Sequence, residues 1–200
     1  MTEIRDAFHQ PFYRLLRVVG VSLLHIVYRW SVIGQAYVPK TGPVVLASNH
    51  IHNFDPIIVG ASTPRFVHFM AKEELFRNRT IGNFLRYLGA FPIRRGVGDR
   101  GAIKHALAVT EDGQCLTVFP EGHRSKTGEL GAGLPGVAMI ARRAGCPVVP
   151  VAVIGPYRLR GRLTVRFGEP IPPDPDRSNE ALLDELMTGI RRLLDEGHAP

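Results

Sequence analysis

Short apolar runs interleaved with stretches of helical spacing constrain this chain more than any other feature. The runs are Val44–Ala47, Phe66–Met70, Leu116–Phe119, Val148–Val153 and Leu163–Phe167. The helical stretches are Pro56–Ala61, Arg79–Tyr87, Gly101–Glu111, Val137–Arg143 and Asn179–Asp195. Runs this short, bounded by turn formers, read as strands, and their alternation with helices is the pattern of an α/β fold. The expected architecture is one α/β domain with a mixed central sheet flanked by helices. A length of 200 residues, 44% hydrophobic and 22% charged, suits one ordinary core and excludes disorder as a whole-chain state. The proline-rich "GEPIPPDPDRSN" before the last helix is a connector that ends in a capping signal. No repeat, low-complexity tract or long linker marks a second globular unit.

Residues 1–35 read as an N-terminal helical segment and 36–200 as the α/β domain. Phe12, Leu16, Val19, Leu23 and Ile26 fall on one face of a helix expected over Phe12–Val32, with Arg14, Arg17, His25 and Arg29 on the other side. Val18, Val21 and Leu24 are mixed with the basic residues, so apolar surface covers more than half of this helix. Such an amphipathic helix suits the membrane interface, with its arginines near phosphate groups; packing on the domain's own sheet is the alternative. The run "VVGVSLLHIVY" is 11 residues long, short of the roughly 20 needed to span a bilayer. The N-terminus has no early apolar stretch of the signal-peptide kind. A net charge of +7 admits an anionic membrane, an anionic substrate or nucleic acid as partner. The arginines are scattered and not interleaved with aromatics on one face, which argues against nucleic acid. Cys115 and Cys146 sit in apolar contexts without CxxC spacing and read as buried free thiols.

The densest polar cluster is "SNHIHNFDP", residues 48–56, directly after an apolar run. Asp55 followed by Pro56 reads as a helix start, with the aspartate as N-cap. On a continuous helix His50 and Asp55 would stand about 140° apart, so they can pair only across a turn, which Asn53 supplies. A carboxylate holding the imidazole Nδ1–H leaves Nε2 free as a general base. No GxSxG is present, and neither cysteine has an adjacent base. The hydroxyl to be activated then belongs to a substrate, as in direct acyl transfer to an alcohol. Two further stretches leave apolar runs with charged residues: "VFPEGHRS" (118–125) and "LGAFPIRRG" (88–96). Arginines at such edges suit bidentate phosphate binding.

His50 and Asp55 form an HxxxxD element, "GAFPIRR" ends at Arg95, "FPEGHRS" looks like an FPEGTRS block, and "VVPVAVIG" carries Pro150. In this order across residues 37–155, the four blocks resemble the PlsC-type glycerolipid acyltransferases, the 1-acylglycerol-3-phosphate acyltransferase family. The resemblance implies transfer of a fatty acyl chain from acyl-CoA or acyl-carrier protein to the free hydroxyl of a lysophospholipid. The leading case is 1-acyl-sn-glycerol-3-phosphate giving phosphatidic acid, at the cytoplasmic face of a membrane. It implies His50 as base and Asp55 as its orienting partner, with Arg95, Glu121, Gly122 and Arg124 binding the acceptor's glycerol phosphate. It implies no metal and no prosthetic group, and an N-terminal helix that engages the membrane.

Two positions depart from the family pattern: His52 stands where serine is frequent, and His123 replaces the threonine of the EGTR element. Both are expected to line the site, where histidine changes charge near neutrality. Another lysolipid or glycerol 3-phosphate is an alternative acceptor. His50, His52 and Asp55, completed by His105 or His123, also make a reasonable ligand set for a metal-dependent hydrolase; that reading leaves the FPEG block unexplained. A non-catalytic membrane-binding protein is the alternative outside enzymes. Acyl chain length, donor type and oligomeric state are not legible in the sequence.

Overall fold

All five expected strands form, and two more join them. A computed structural model describes residues 11–94 and 99–198. Its strands are β1 (Arg29–Ile33), β2 (Val44–Ser48), β3 (Val67–Lys72), β4 (Ala90–Ile93), β5 (Cys115–Val118), β6 (Val148–Ile154) and β7 (Arg162–Phe167). They make a single sheet in the order β1-β7-β6-β2-β5-β3-β4. β6 and β7 pair antiparallel and every other pair is parallel, so the sheet is mixed. The helices are α1 (Pro11–Val27), α2 (Asp55–Ser62), α3 (Arg79–Tyr87), α4 (Arg100–Glu111), α5 (Gly136–Ala144) and α6 (Asn179–His198).

The central strands are apolar throughout because both sheet faces are covered, as parallel sheets require. Along β2 successive side chains point to opposite faces. Val45 and Ala47 pack with Val109 of α4, Ile140 of α5 and Leu186 and Ile190 of α6. Val44 and Leu46 pack with Ile58 and Val59 of α2 and with Leu24 of α1. Leu46, Leu116 and Leu186 are fully buried, each such side chain stabilising the fold by about 1.5–3 kcal/mol.

The N-terminal helix is shorter than its periodicity suggests. It ends at Val27, and the residues expected to continue it to Val32 form β1, in register with β7 through Trp30↔Leu163 and Val32↔Val165. β7 offers an open edge, and Trp30, Val32 and Ile33 favour extended backbone. α1 packs through Tyr13, edge-on to Phe66 at 5.0 Å between ring centroids. Arg17, expected on the polar face, turns inward and donates to the carbonyls of Ala61 (3.3 Å) and Thr63, at the C-terminal end of α2. Outward face Leu15, Val18, Val19, Leu23 and Ile26, the last of these 73% exposed. Among the described residues, no helix is long and apolar enough to cross a membrane.

Both cysteines are free and buried. Burial pushes the Cys115 thiol up to about 12 and the Cys146 thiol up to about 11, so neither supplies a thiolate near neutrality. Native protein is expected to leave a chromogenic disulfide reagent unreacted at pH 8, and both thiols are expected to titrate in urea. Rapid native reaction of either would contradict this burial.

Candidate active site

β2 lies between the parallel neighbours β5 and β6, so the C-terminal ends of all three open at one edge. In open α/β sheets that edge is where ligands bind. β2 ends at Ser48, and the next residue extends its pairing by side chain. The Asn49 amide nitrogen donates to the Val153 carbonyl (2.9 Å), and its oxygen accepts from the Val153 N–H (2.7 Å). Two reciprocal bonds imitate one more step of a ladder and tie the start of the loop to β6.

His50 follows, 6% exposed, its ring stacked on Phe119 at 4.2 Å. Its Nδ1–H donates to Asp55 Oδ2 at 2.8 Å. The turn expected to bring the two together is present: the Asp55 N–H donates to the His52 carbonyl at 3.1 Å. Asp55 is the first residue of α2, with Phe54 at the N-cap, and its carboxylate caps backward. Oδ2 also accepts the N–H groups of Ile51 and His52, both at 2.7 Å. The expected cap on the helix's own amides is therefore replaced by a clasp on the preceding loop. Asp55 has no exposed surface.

The FPEG loop leaves β5 and wraps behind this pair. Glu121 is 1% exposed; one carboxylate oxygen accepts from the His50 N–H (2.9 Å) and the other from the Gly131 N–H (2.9 Å). Glu121 thereby holds the backbone under the histidine. Gly122 has φ +67°, and a Cβ there would stand 2.6 Å from Leu134 Cδ1, so the tight turn requires glycine. The His123 Nδ1–H donates to the Glu121 carbonyl at 2.7 Å. Arg124 is exposed and donates to Asn53 Oδ1 at 3.3 Å, while the Ser125 N–H donates to the His50 carbonyl at 2.7 Å. The two loops are stitched together at His50 and Asn53.

Of the residues expected in the site, His50, Asp55, Glu121, Gly122 and Arg124 therefore gather at one edge, and Arg95 lies outside the described residues. Its neighbour Arg94 is exposed and pairs with Glu73 at 3.0 Å. A cavity of about 260 Å³ lies between β4 and α4, lined by Glu73, Phe91, Arg94, Asp99 and His105. β4 is three strands from β2, about 14 Å at ordinary strand spacing. Among the described residues, no group of three or more His, Cys, Asp or Glu side chains converges as a metal ligand set. His52 stacks on Tyr157 at 4.2 Å, and its Nδ1 accepts from the Phe54 N–H at 3.3 Å.

Sequence reasoning missed two site residues. Asn49 had a signal, being a polar group squeezed between a buried strand and the histidine. Tyr157 had none: it stands 102 positions from Asp55, and its hydroxyl donates to Asp55 Oδ1 at 2.5 Å.

Comparisons with known proteins bear on the family and the fold. A family model described as Acyltransferase matches residues 29–154. The 1-acyl-sn-glycerol-3-phosphate acyltransferase of Streptococcus pneumoniae is 33% identical, the match covering 92% of this chain and 74% of that protein. Its namesake from Bacillus subtilis is 32% identical over 70% of this chain and 73% of its own length. The crystal structure of the 1-acyl-sn-glycerophosphate (LPA) acyltransferase PlsC from Thermotoga maritima superposes with a TM-score of 0.77. That match covers 97% of this chain and 86% of that one and, at 24% identity, is a likeness of fold.

Proposed function

The chain belongs to the acyltransferase family, and from that membership we propose that it acylates the free hydroxyl of 1-acyl-sn-glycerol-3-phosphate to give phosphatidic acid. The donor is a thioester, acyl-CoA or acyl-carrier protein. The observation that carries the reading is the buried 2.8 Å hydrogen bond from His50 Nδ1 to Asp55, which leaves Nε2 as the acceptor of a proton. The acceptor hydroxyl gives its proton to Nε2 as its oxygen attacks the thioester carbonyl carbon. Collapse of the tetrahedral intermediate breaks the C–S bond, and the imidazolium returns the proton to the departing thiolate. Asp55 holds the ring in the productive tautomer and stabilises the imidazolium. No protein nucleophile and no cofactor enter this scheme. The acceptor's phosphate takes Arg124, which follows the Gly122 turn, and, on the family resemblance, Arg95. Glu121 serves as the brace beneath His50.

The acceptor and product are lipids, so the reaction belongs at a membrane surface, and the resemblance implies the cytoplasmic face. The apolar outer side of α1, with Ile26, Val18 and Leu15 exposed, suits shallow insertion among acyl chains. The net charge of +7 suits anionic headgroups.

The test is product analysis with a panel of lyso-acceptors, glycerol 3-phosphate included, against both donor types. Phosphatidic acid from the phosphorylated lyso-acceptor is the expected result. Product from unphosphorylated acceptors alone would sink the phosphate role of Arg124 and Arg95.

A further inference from the structure

The four sequence blocks end before Tyr157, which also lies beyond the matched segment 29–154. Yet its hydroxyl reaches the carboxylate at the centre of the site. Oδ2 of Asp55 accepts from His50 Nδ1 and from the N–H groups of Ile51 and His52, whereas Oδ1 accepts from the Tyr157 hydroxyl. The phenol ring is held by two aromatic contacts: His52 stacks on it at 4.2 Å and 22°, and Tyr28 meets it edge-on at 5.9 Å. A phenylalanine would fill the same space, so packing does not account for the oxygen. What the oxygen adds is a hydrogen bond to a carboxylate with no exposed surface.

We propose that Tyr157 is a positioning residue of the acyl-transfer site, whose hydroxyl fixes the rotation of the Asp55 carboxylate and draws charge from Oδ2, thereby setting the basicity of His50. The inference rests on His50 acting as the base. A donor on one carboxylate oxygen weakens the other as an acceptor, so the Tyr157 bond tempers the stabilisation of the His50 imidazolium. Burial, and then the neighbouring Asp55, raise the Tyr157 phenol, which stays a protonated donor across the working pH range. The other titratable groups around the pair are Tyr28 and His52 against Tyr157, Glu121 on the His50 backbone, and His123 and Arg124 on the FPEG loop. His52, the departure from the family pattern, thereby gains a role: its ring is the wall that holds the phenol in place.

Two changes at position 157 should act in opposite directions. In Tyr157→Phe, Oδ2 regains charge, His50 becomes more basic, and the acid limb of the kcat/KM profile moves up by about 0.5–1 pH unit. On that limb, activity falls roughly three- to tenfold, in step with the deprotonated fraction. Site-specific 3-fluorotyrosine, a more acidic phenol and stronger donor, moves the limb down; this substitution carries the test if Tyr157→Phe does not fold. The His50 ring, titrated by NMR in the absence of substrate, should shift with the limb. A limb that stays in place, or moves the same way in both proteins, overturns the proposal. Full transfer by His50→Ala would instead overturn the base assignment, and the NMR titration distinguishes the two failures because it reads the coupling without turnover.

Discussion

Alanine in place of His50 is expected to lower kcat for acyl transfer by about 10² to 10⁴, with liposome binding retained. An alcohol is a poor nucleophile at neutral pH and a thiolate is a good leaving group, so the step that most needs the protein is removal of the hydroxyl proton. His50 is 6% exposed and bonded at Nδ1 to a fully buried aspartate, which orients the one nitrogen able to take that proton. Alanine leaves the backbone groups of residue 50 with their partners Glu121 and Ser125, so the loop should keep its path. Asp55→Asn should also be impaired, because an amide can offer Nδ1 the wrong group and releases the negative charge that stabilises imidazolium. Turnover of His50→Ala within a few fold of the parent would remove the base from the mechanism. Loss of liposome binding alongside turnover would mean that the substitution had disturbed more than the chemistry.

Glu121→Ala is expected to damage both stability and rate, in a pattern that separates a brace from a ligand-binding residue. The two carboxylate oxygens hold the N–H groups of His50 and Gly131. Removing both acceptors leaves the buried His50 N–H unpaired and opens a void behind it, at a cost of about 2–4 kcal/mol. For a chain of this size that is about 4–16 °C in Tm. The base is then no longer held to within the few tenths of an ångström that proton transfer demands, and kcat should fall roughly 10- to 100-fold. Glu121→Gln keeps one acceptor oxygen but sets an amide N–H₂ against a backbone N–H, so its loss should be intermediate. A residue that gripped the acceptor's phosphate would behave differently, raising KM for the acceptor with Tm unchanged. Thermal melts and acceptor saturation curves on the two variants decide between these outcomes.

The sheet interior was legible because the physics that buries a parallel strand on both faces also makes it uniformly apolar. β2 and β6 are buried along their whole length, and their runs stand out from the flanking turns. The two strands that escaped, β1 and β4, are the two edges of the sheet. An edge strand is paired on one side only and half solvated, so β1 alternates exposed and partly buried residues and merges into the apolar tail of α1. β4 carries Pro92, which argues against a central strand and is tolerated at an edge.

The same division runs through the site. His50 and Asp55 are five positions apart, so local turn chemistry sufficed to pair them. The backbone contacts of Glu121 were not legible, because sequence order does not tell which way a loop turns its side chains. Tyr157 comes to Asp55 only through the pairing of β6 with β2, and a contact created by sheet topology leaves no trace in local spacing. The inward turn of Arg17 is of the same kind, since its partners are carbonyls 44 and 46 residues away.

That arginine has a geometric consequence. α2 has eight residues, about 12 Å of helix, with the orienting carboxylate at one end and the clasp from α1 at the other. It is a spacer between α1, the proposed lipid-facing helix, and the base. Such a spacer cannot be adjusted smoothly. Adding one residue would lengthen it by about 1.5 Å and swing Asp55 about 100° around the axis, away from His50. The distance between the α1 clasp and the catalytic pair is thus quantised in helical turns.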